Sequence, residues 1–70
     1  MTKDHTYKVV TLVGSSQESV DDAIKQAVKQ ANESVRHLRW FEVDEIRGHI
    51  DNGEVAHYQV KVDIGFTIEE

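Results

Sequence analysis

Residues 38–68 read LRWFEVDEIRGHIDNGEVAHYQVKVDIGFTI, two apolar-rich runs on either side of Asp51-Asn52-Gly53. Asn-Gly between such runs is the strongest short-range hairpin signal, because a type I′ turn needs positive φ at both central residues. In the second run Ala56, Tyr58, Val60, Val62, Ile64, Phe66 and Ile68 fall on one face of a strand. His57, Gln59, Lys61, Asp63, Gly65 and Thr67 fall on the other. The first run alternates as well, with Phe41 and Val43 on one face and Trp40, Glu42 and Asp44 on the other. The only Trp of the chain therefore stands on the charged face, and a lone hairpin offers no reason for it.

Upstream, residues 1–6 are polar and read as a loose lead-in. YKVVTLVG, residues 7–14, mixes β-branched and apolar residues, stops at Gly14, and reads as a first strand. From Ser15 the period changes. Val20, Ala23, Ile24, Ala27, Val28, Ala31 and Val35 recur every three or four residues, which lays one apolar stripe along a helix of about 20 residues. Ser15 followed by Glu18 fits a capping box, with Ser16 as the competing cap. Glu18, Asp21 and Asp22 sit near the positive helix end, Arg36 and His37 near the negative end. The predicted order is β-α-β-β. The fold class is α+β: a three-stranded antiparallel sheet wrapped around one helix, in a single domain over residues 1–70.

Composition narrows the function. The chain has 70 residues, and a core of that size supplies only about 3–5 kcal/mol without some further staple. No Cys is present, so disulfides and thiolate metal sites are excluded. A formal charge of −5 argues against nucleic-acid binding, which needs a basic patch. No apolar run is long enough to span a membrane, and MTKDHTYK does not read as a signal peptide, so a cytoplasmic location is expected. Self-association is the remaining staple. Geometry asks for the same thing: a helix of about 20 residues is about 30 Å long, whereas a strand of about 13 reaches about 43 Å. Strands that overhang their helix leave long edges open to another chain.

Three side chains are candidate ligand contacts. With a two-residue turn and no bulge, Trp40 lies opposite Gly65 on the polar face. It serves there as a cover for exposed backbone, as part of a subunit interface, or as a flat stacking platform for a planar aromatic ligand. Gln59 shares that face but stands about six residues along the hairpin, or roughly 20 Å away. Within one subunit it is a solvated strand residue; across a symmetry axis its amide offers a donor and an acceptor to the same ligand. Arg47 offers a guanidinium to a phosphate or to a neighbouring carboxylate such as Glu45. The four His residues show no metal-ligand spacing, and His37 reads as serving the helix end, so no metal site is expected. No Ser-His-Asp or Cys-His grouping and no Gly-rich phosphate loop is present, so no catalytic residue is assigned. The residues alone describe an oligomeric β-α-β-β binder.

At these residues the sequence resembles the dodecins, a family of small flavin-binding proteins. YKVVTLVGSSQES resembles the family's first strand and helix cap. LRWFEVDEIRGHIDNGEVAHYQVKVDIGF resembles its most diagnostic stretch, including W-F-E-V, R-G, Y-Q-V and the closing G-F. The resemblance implies a hollow homododecamer of cubic symmetry, with a pair of flavins in each pocket on a twofold axis. It assigns Trp40 to the stacking wall, Gln59 to the polar edge of the isoalloxazine ring, and Arg47 to the mouth of the pocket. It implies a store and scavenger of flavin rather than an enzyme.

One position departs from the family. Bacterial members often carry Arg two residues after the Gly of the closing G-F, where it meets the phosphate of FMN; here the residue is Thr67. Riboflavin or lumichrome gains plausibility accordingly, although Arg47 and its Arg-Gly context favour FMN. The alternatives are a coenzyme A or other nucleotide-binding shell with a secondary flavin site, and a flavoenzyme acting on an unknown substrate.

Overall fold

The computed structural model describes residues 5–68; residues 1–4 of the polar lead-in lie outside the described residues. Four elements follow in the expected order: β1 (Tyr7–Ser16), α1 (Val20–Asn32), β2 (Leu38–Asp51) and β3 (Glu54–Thr67). The strands form one antiparallel sheet in the order β1-β3-β2, which places β3 at its centre. That position explains the clean alternation of β3. Val60, Val62 and Ile64 are fully buried against the helix, each stabilising the fold by about 1.5–3 kcal/mol. From α1 the small residues Ala23, Ala27 and Ala31 meet them, flanked by half-buried Val20, Ile24 and Val28. Small residues let the helix lie close. A Cβ on Gly14 would collide with the Ala23 carbonyl and stand 3.0 Å from the Ala27 Cβ.

The helix is shorter than its apolar stripe suggests, and it starts later. Ser19, extended at φ −168° and ψ 164°, is the N-cap, and its Oγ accepts from the Asp22 amide at 3.0 Å. The Ser15–Glu18 capping box does not form, because β1 runs on through Ser16. The Ser16 hydroxyl accepts from the Glu18 amide at 2.9 Å and donates to Asp22 Oδ2 at 2.7 Å, bracing the entry from strand to helix. At the other end α1 stops at Asn32. Asn32 and Ser34 carry short polar side chains that compete with helical hydrogen bonding, and the chain must turn back there, with His37 at φ 65°. Arg36 and His37 thus lie beyond the helix, and Lys29 is the basic residue of its last turn.

A 13-residue helix is about 20 Å long, and each 14-residue strand of the hairpin spans about 46 Å. The overhang therefore exceeds the sequence expectation, and the molecule measures 57 × 20 × 14 Å. The helix packs on β1 and β3. On that same side of the sheet, Phe41, Val43, Ile46, Ile50 and Val55 remain exposed.

Asn52 (φ 53°) and Gly53 (φ 75°) form the predicted turn between Asp51 and Glu54. The hairpin is not regular, however. Register breaks lie between Leu38 and Trp40, between Val43 and Glu45, and between His49 and Ile50. The break at Asp44 adds a residue to β2, and the one at Ala56 adds a residue to β3. Their shifts cancel, so Trp40 still pairs with Gly65. Between them each side chain of β2 changes face relative to strict alternation: Ile46 pairs with Val60 on the helix side, and Arg47 pairs with Gln59 on the outer side.

Candidate ligand-binding face

The outer face of the sheet carries all three candidate residues, and two of them touch. At one end the Trp40 indole lies across Gly65, and a Cβ at position 65 would overlap ring atoms Cε2 and Cζ2. The ring can take this seat only over a residue without a Cβ. Tyr7 of β1 meets the same indole edge-on, with ring centroids 5.9 Å apart and planes at 63°. This geometry is favourable for aromatic pairs. With its position set by Gly65 below and Tyr7 beside it, Trp40 keeps 40% of its surface open to solvent. Tyr7 was not legible as part of this group, because the register between β1 and β3 is closed through the intervening helix.

At the other end, Arg47 Nε donates to Gln59 Oε1 at 3.0 Å. Arg47 Nη1 also stands 3.8 Å from Glu45 Oε1, an exposed pair of little energetic weight. Of the two partners the sequence offers Arg47, a phosphate or a neighbouring carboxylate, Glu45 is within reach in the chain, and the contact to Gln59 is additional. Strict alternation from Trp40 would put Arg47 on the opposite face; the bulge at Asp44 brings it round. Trp40 and Gln59 remain apart within one chain, since Gly65 and Gln59 are six residues apart on β3, or roughly 20 Å.

Between the two ends the outer face is acidic. Glu42 pairs with Asp63, the extra residue Asp44 lies beside them, and Glu45 pairs with Lys61. Thr11 Oγ1 donates to Asp63 Oδ1 at 2.7 Å. Asp44 is held above its ordinary carboxylate value by desolvation first, then by a hydrogen bond to Asp63 and by the repulsion of Asp63 and Glu42, with Lys61 opposing. A phosphate has no place on this middle stretch. Arg47 is the cation at its far end.

A small hollow of about 140 Å³, lined by Val28, Leu38, Phe41 and Ile64, reaches Trp40. An open apolar groove of about 610 Å³ runs beside α1, lined by Ile24, Val28, Leu38 and Phe41 with Lys25 and Lys29 at its rim. It contains none of Trp40, Arg47 and Gln59. A single chain thus presents its candidate residues on an open face, incomplete as a pocket. Among the described residues, no group of three His, Asp or Glu side chains converges, and no helix is long and apolar enough to cross a membrane.

Comparison with known proteins places this geometry. The sequence profile of a family described as Dodecin matches residues 6–69. The dodecin of Thermus thermophilus is 50% identical over 64 residues, covering 91% of this chain and 93% of that protein. The solved structure of the dodecin from Streptomyces coelicolor superposes with a TM-score of 0.92 at 46% identity, covering 99% of both chains. The calcium dodecin of Mycobacterium tuberculosis is 32% identical over 62 residues, covering 89% of this chain and 87% of that protein.

Proposed function

The chain belongs to the dodecin family, and on that premise we propose that it is a non-catalytic flavin-binding protein. In this reading it stores, buffers and photoprotects FMN or riboflavin in the cytoplasm, in pockets shared between subunits of a homododecamer. The observation that carries the reading is Trp40: a large ring backed by Gly65 and braced by Tyr7, with 40% of its surface left open on a polar face. Core packing does not account for such a ring, whereas a planar aromatic ligand does.

The remaining residues fit the same ligand. A twofold partner closes the distance between Trp40 and Gln59, which no single chain can close. Because Arg47 can only donate, its bond fixes Gln59 Oε1 as the acceptor and leaves the two Nε2 hydrogens for a ligand. Those donors suit the ring carbonyls of an isoalloxazine edge. Two indoles enclosing a flavin pair would exclude a second reactant from the flavin faces, which supports storage over catalysis. An electron-rich indole against an excited flavin would also quench it by electron transfer. The exposed stripe from Phe41 to Val55 on the helix side supplies the apolar surface that subunit closure needs.

Ligand identity follows from charge. With Thr67 buried, Glu42, Asp44 and Asp63 between Trp40 and Arg47, and Lys61 set against Glu45, phosphate recognition rests on Arg47. Riboflavin and lumichrome should therefore bind nearly as well as FMN. The name of the M. tuberculosis relative gives calcium for that protein. Calcium takes six to eight oxygen ligands, and the described carboxylates of this chain bring no three together.

Trp40→Ala tests the assignment. If the ring is a stacking wall, the variant keeps its oligomeric state by light scattering and loses flavin affinity by about 1–3 kcal/mol per ring contact, and any flavin still bound fluoresces more brightly. If the ring is structural, the change lowers stability by about 3–5 kcal/mol and the assembly falls apart. A variant that binds and quenches flavin as before removes Trp40 from the site.

A further inference from the structure

His49 of β2 and His57 of β3 are direct cross-strand partners on the outer face, in the row beyond Arg47 and Gln59. Their rings stand 6.4 Å apart between centroids, with planes at 60°. Nothing in the linear spacing marks them as a pair. The bulge at Asp44 turns His49 outward, and the hairpin register sets it against His57, just before the break at Ala56. Opposed residues on one face of a sheet have Cβ atoms about 4.5–5.5 Å apart. That distance matches a pair of imidazoles closing on one ion. Zinc–nitrogen bonds are about 2.0–2.1 Å long, so the two donor nitrogens must come within about 3 Å. His49 is exposed and His57 half-buried, so His49 at least has room to turn toward its partner.

We propose that His49 and His57 form a two-coordinate clip for a divalent transition-metal ion of imidazole preference, such as Zn²⁺ or Ni²⁺. Water completes the coordination shell, since no third ligating side chain converges there among the described residues. The site binds a borderline metal and not calcium, because both donors are nitrogen. It adjoins Arg47 and Gln59 at the end of the face away from Trp40, and its two ligands are used by no flavin contact proposed above. Because the ion bridges two strands of the folded hairpin, it raises the thermal midpoint of the flavin-free protein.

The test is calorimetric titration of the untagged, flavin-free assembly with ZnCl₂ and NiCl₂ at neutral pH, with the thermal midpoint read in parallel. Wild-type protein is expected to bind one ion per chain. His49→Gln and His57→Gln should each weaken binding by about tenfold or more, since each removes one of two ligands, and each should abolish the rise in midpoint. His5→Gln should change neither. Light scattering and the metal-free thermal transition of the two hairpin variants report whether they remain folded and assembled. Metal binding that survives in both hairpin variants, or that is lost in His5→Gln, overturns the proposal, as does a wild-type protein with no measurable binding.

Discussion

Arg47 and Gln59 hold one another across the hairpin through a single hydrogen bond, Nε to Oε1, at 3.0 Å. The bond orients the amide, because a guanidinium has no acceptor to offer and must face the oxygen. Gln59 therefore arrives at any ligand with its donors free. Gln59→Glu keeps an acceptor for Arg47 while removing both donors, so the Arg47 contact strengthens as flavin binding weakens. Each ring carbonyl left without a donor should lower affinity by about 1–3 kcal/mol. Isothermal titration with riboflavin checks this, and an unchanged affinity would place the polar edge of the ring elsewhere.

Arg47 is the cation available to a phosphate at that end of the face, and its side chain is 57% exposed. Exposed charge pairs are worth about 0–1 kcal/mol. FMN is accordingly expected to bind less than about fivefold tighter than riboflavin, and Arg47→Ala should erase the difference. Titrations of both flavins at low and high salt decide it. A large, salt-sensitive preference for FMN that persists in Arg47→Ala would mean that the phosphate sits against other residues.

Gly65 supports the indole by having no side chain. In Gly65→Ala the new methyl group would overlap the ring and stand 2.7 Å from Trp40 Cδ2. Overpacking in a closed core costs about 1–3 kcal/mol; here the half-open ring can lift away, so the loss of stability should fall below that range. Indole emission should shift and flavin affinity should drop with it. Unaltered emission and affinity in Gly65→Ala would show that the ring does not need its present seat.

Asp44 ties stability to pH. Desolvation, then the hydrogen bond to Asp63 and the repulsion from Asp63, raise its carboxyl above the ordinary value of 3.8. A carboxyl raised on folding contributes stability below its unfolded value and loses that contribution as pH climbs through its folded value. Ionised Asp44 is thus a liability at neutral pH. Asp44→Asn should raise the thermal midpoint at pH 7, and the advantage should fade as the pH falls toward the ordinary carboxylate range. Thermal scans across that interval check the sign; an equal gain at every pH would point to a cause other than ionisation.

Much of this molecule could be read from local pattern. The Asn52-Gly53 turn, the apolar face of β3, the helix stripe and the outward position of Trp40 each depend on residues close together in the chain, where turn chemistry and period are decisive. The resemblance to dodecins added the roles proposed for Trp40, Gln59 and Arg47, and the pairing of Trp40 with Gly65 followed from counting back from the turn. That count succeeded through two bulges that cancel, at Asp44 and Ala56, not through a regular ladder.

The rest depended on contacts between distant segments. A bulge records how a twisted strand fits its neighbour, and a period-two pattern carries no trace of it. The Asp44 bulge brings Arg47 onto Gln59 and His49 onto His57, pairings that strict alternation from Trp40 would forbid. The contact of Tyr7 with Trp40 needed β1 to settle against β3 on the far side of the helix. The early end of α1 at Asn32 followed from the reversal into β2, which overrode an apolar stripe that continues to Val35. Periodicity sets which face a residue prefers, but packing against a partner strand sets where that face is interrupted.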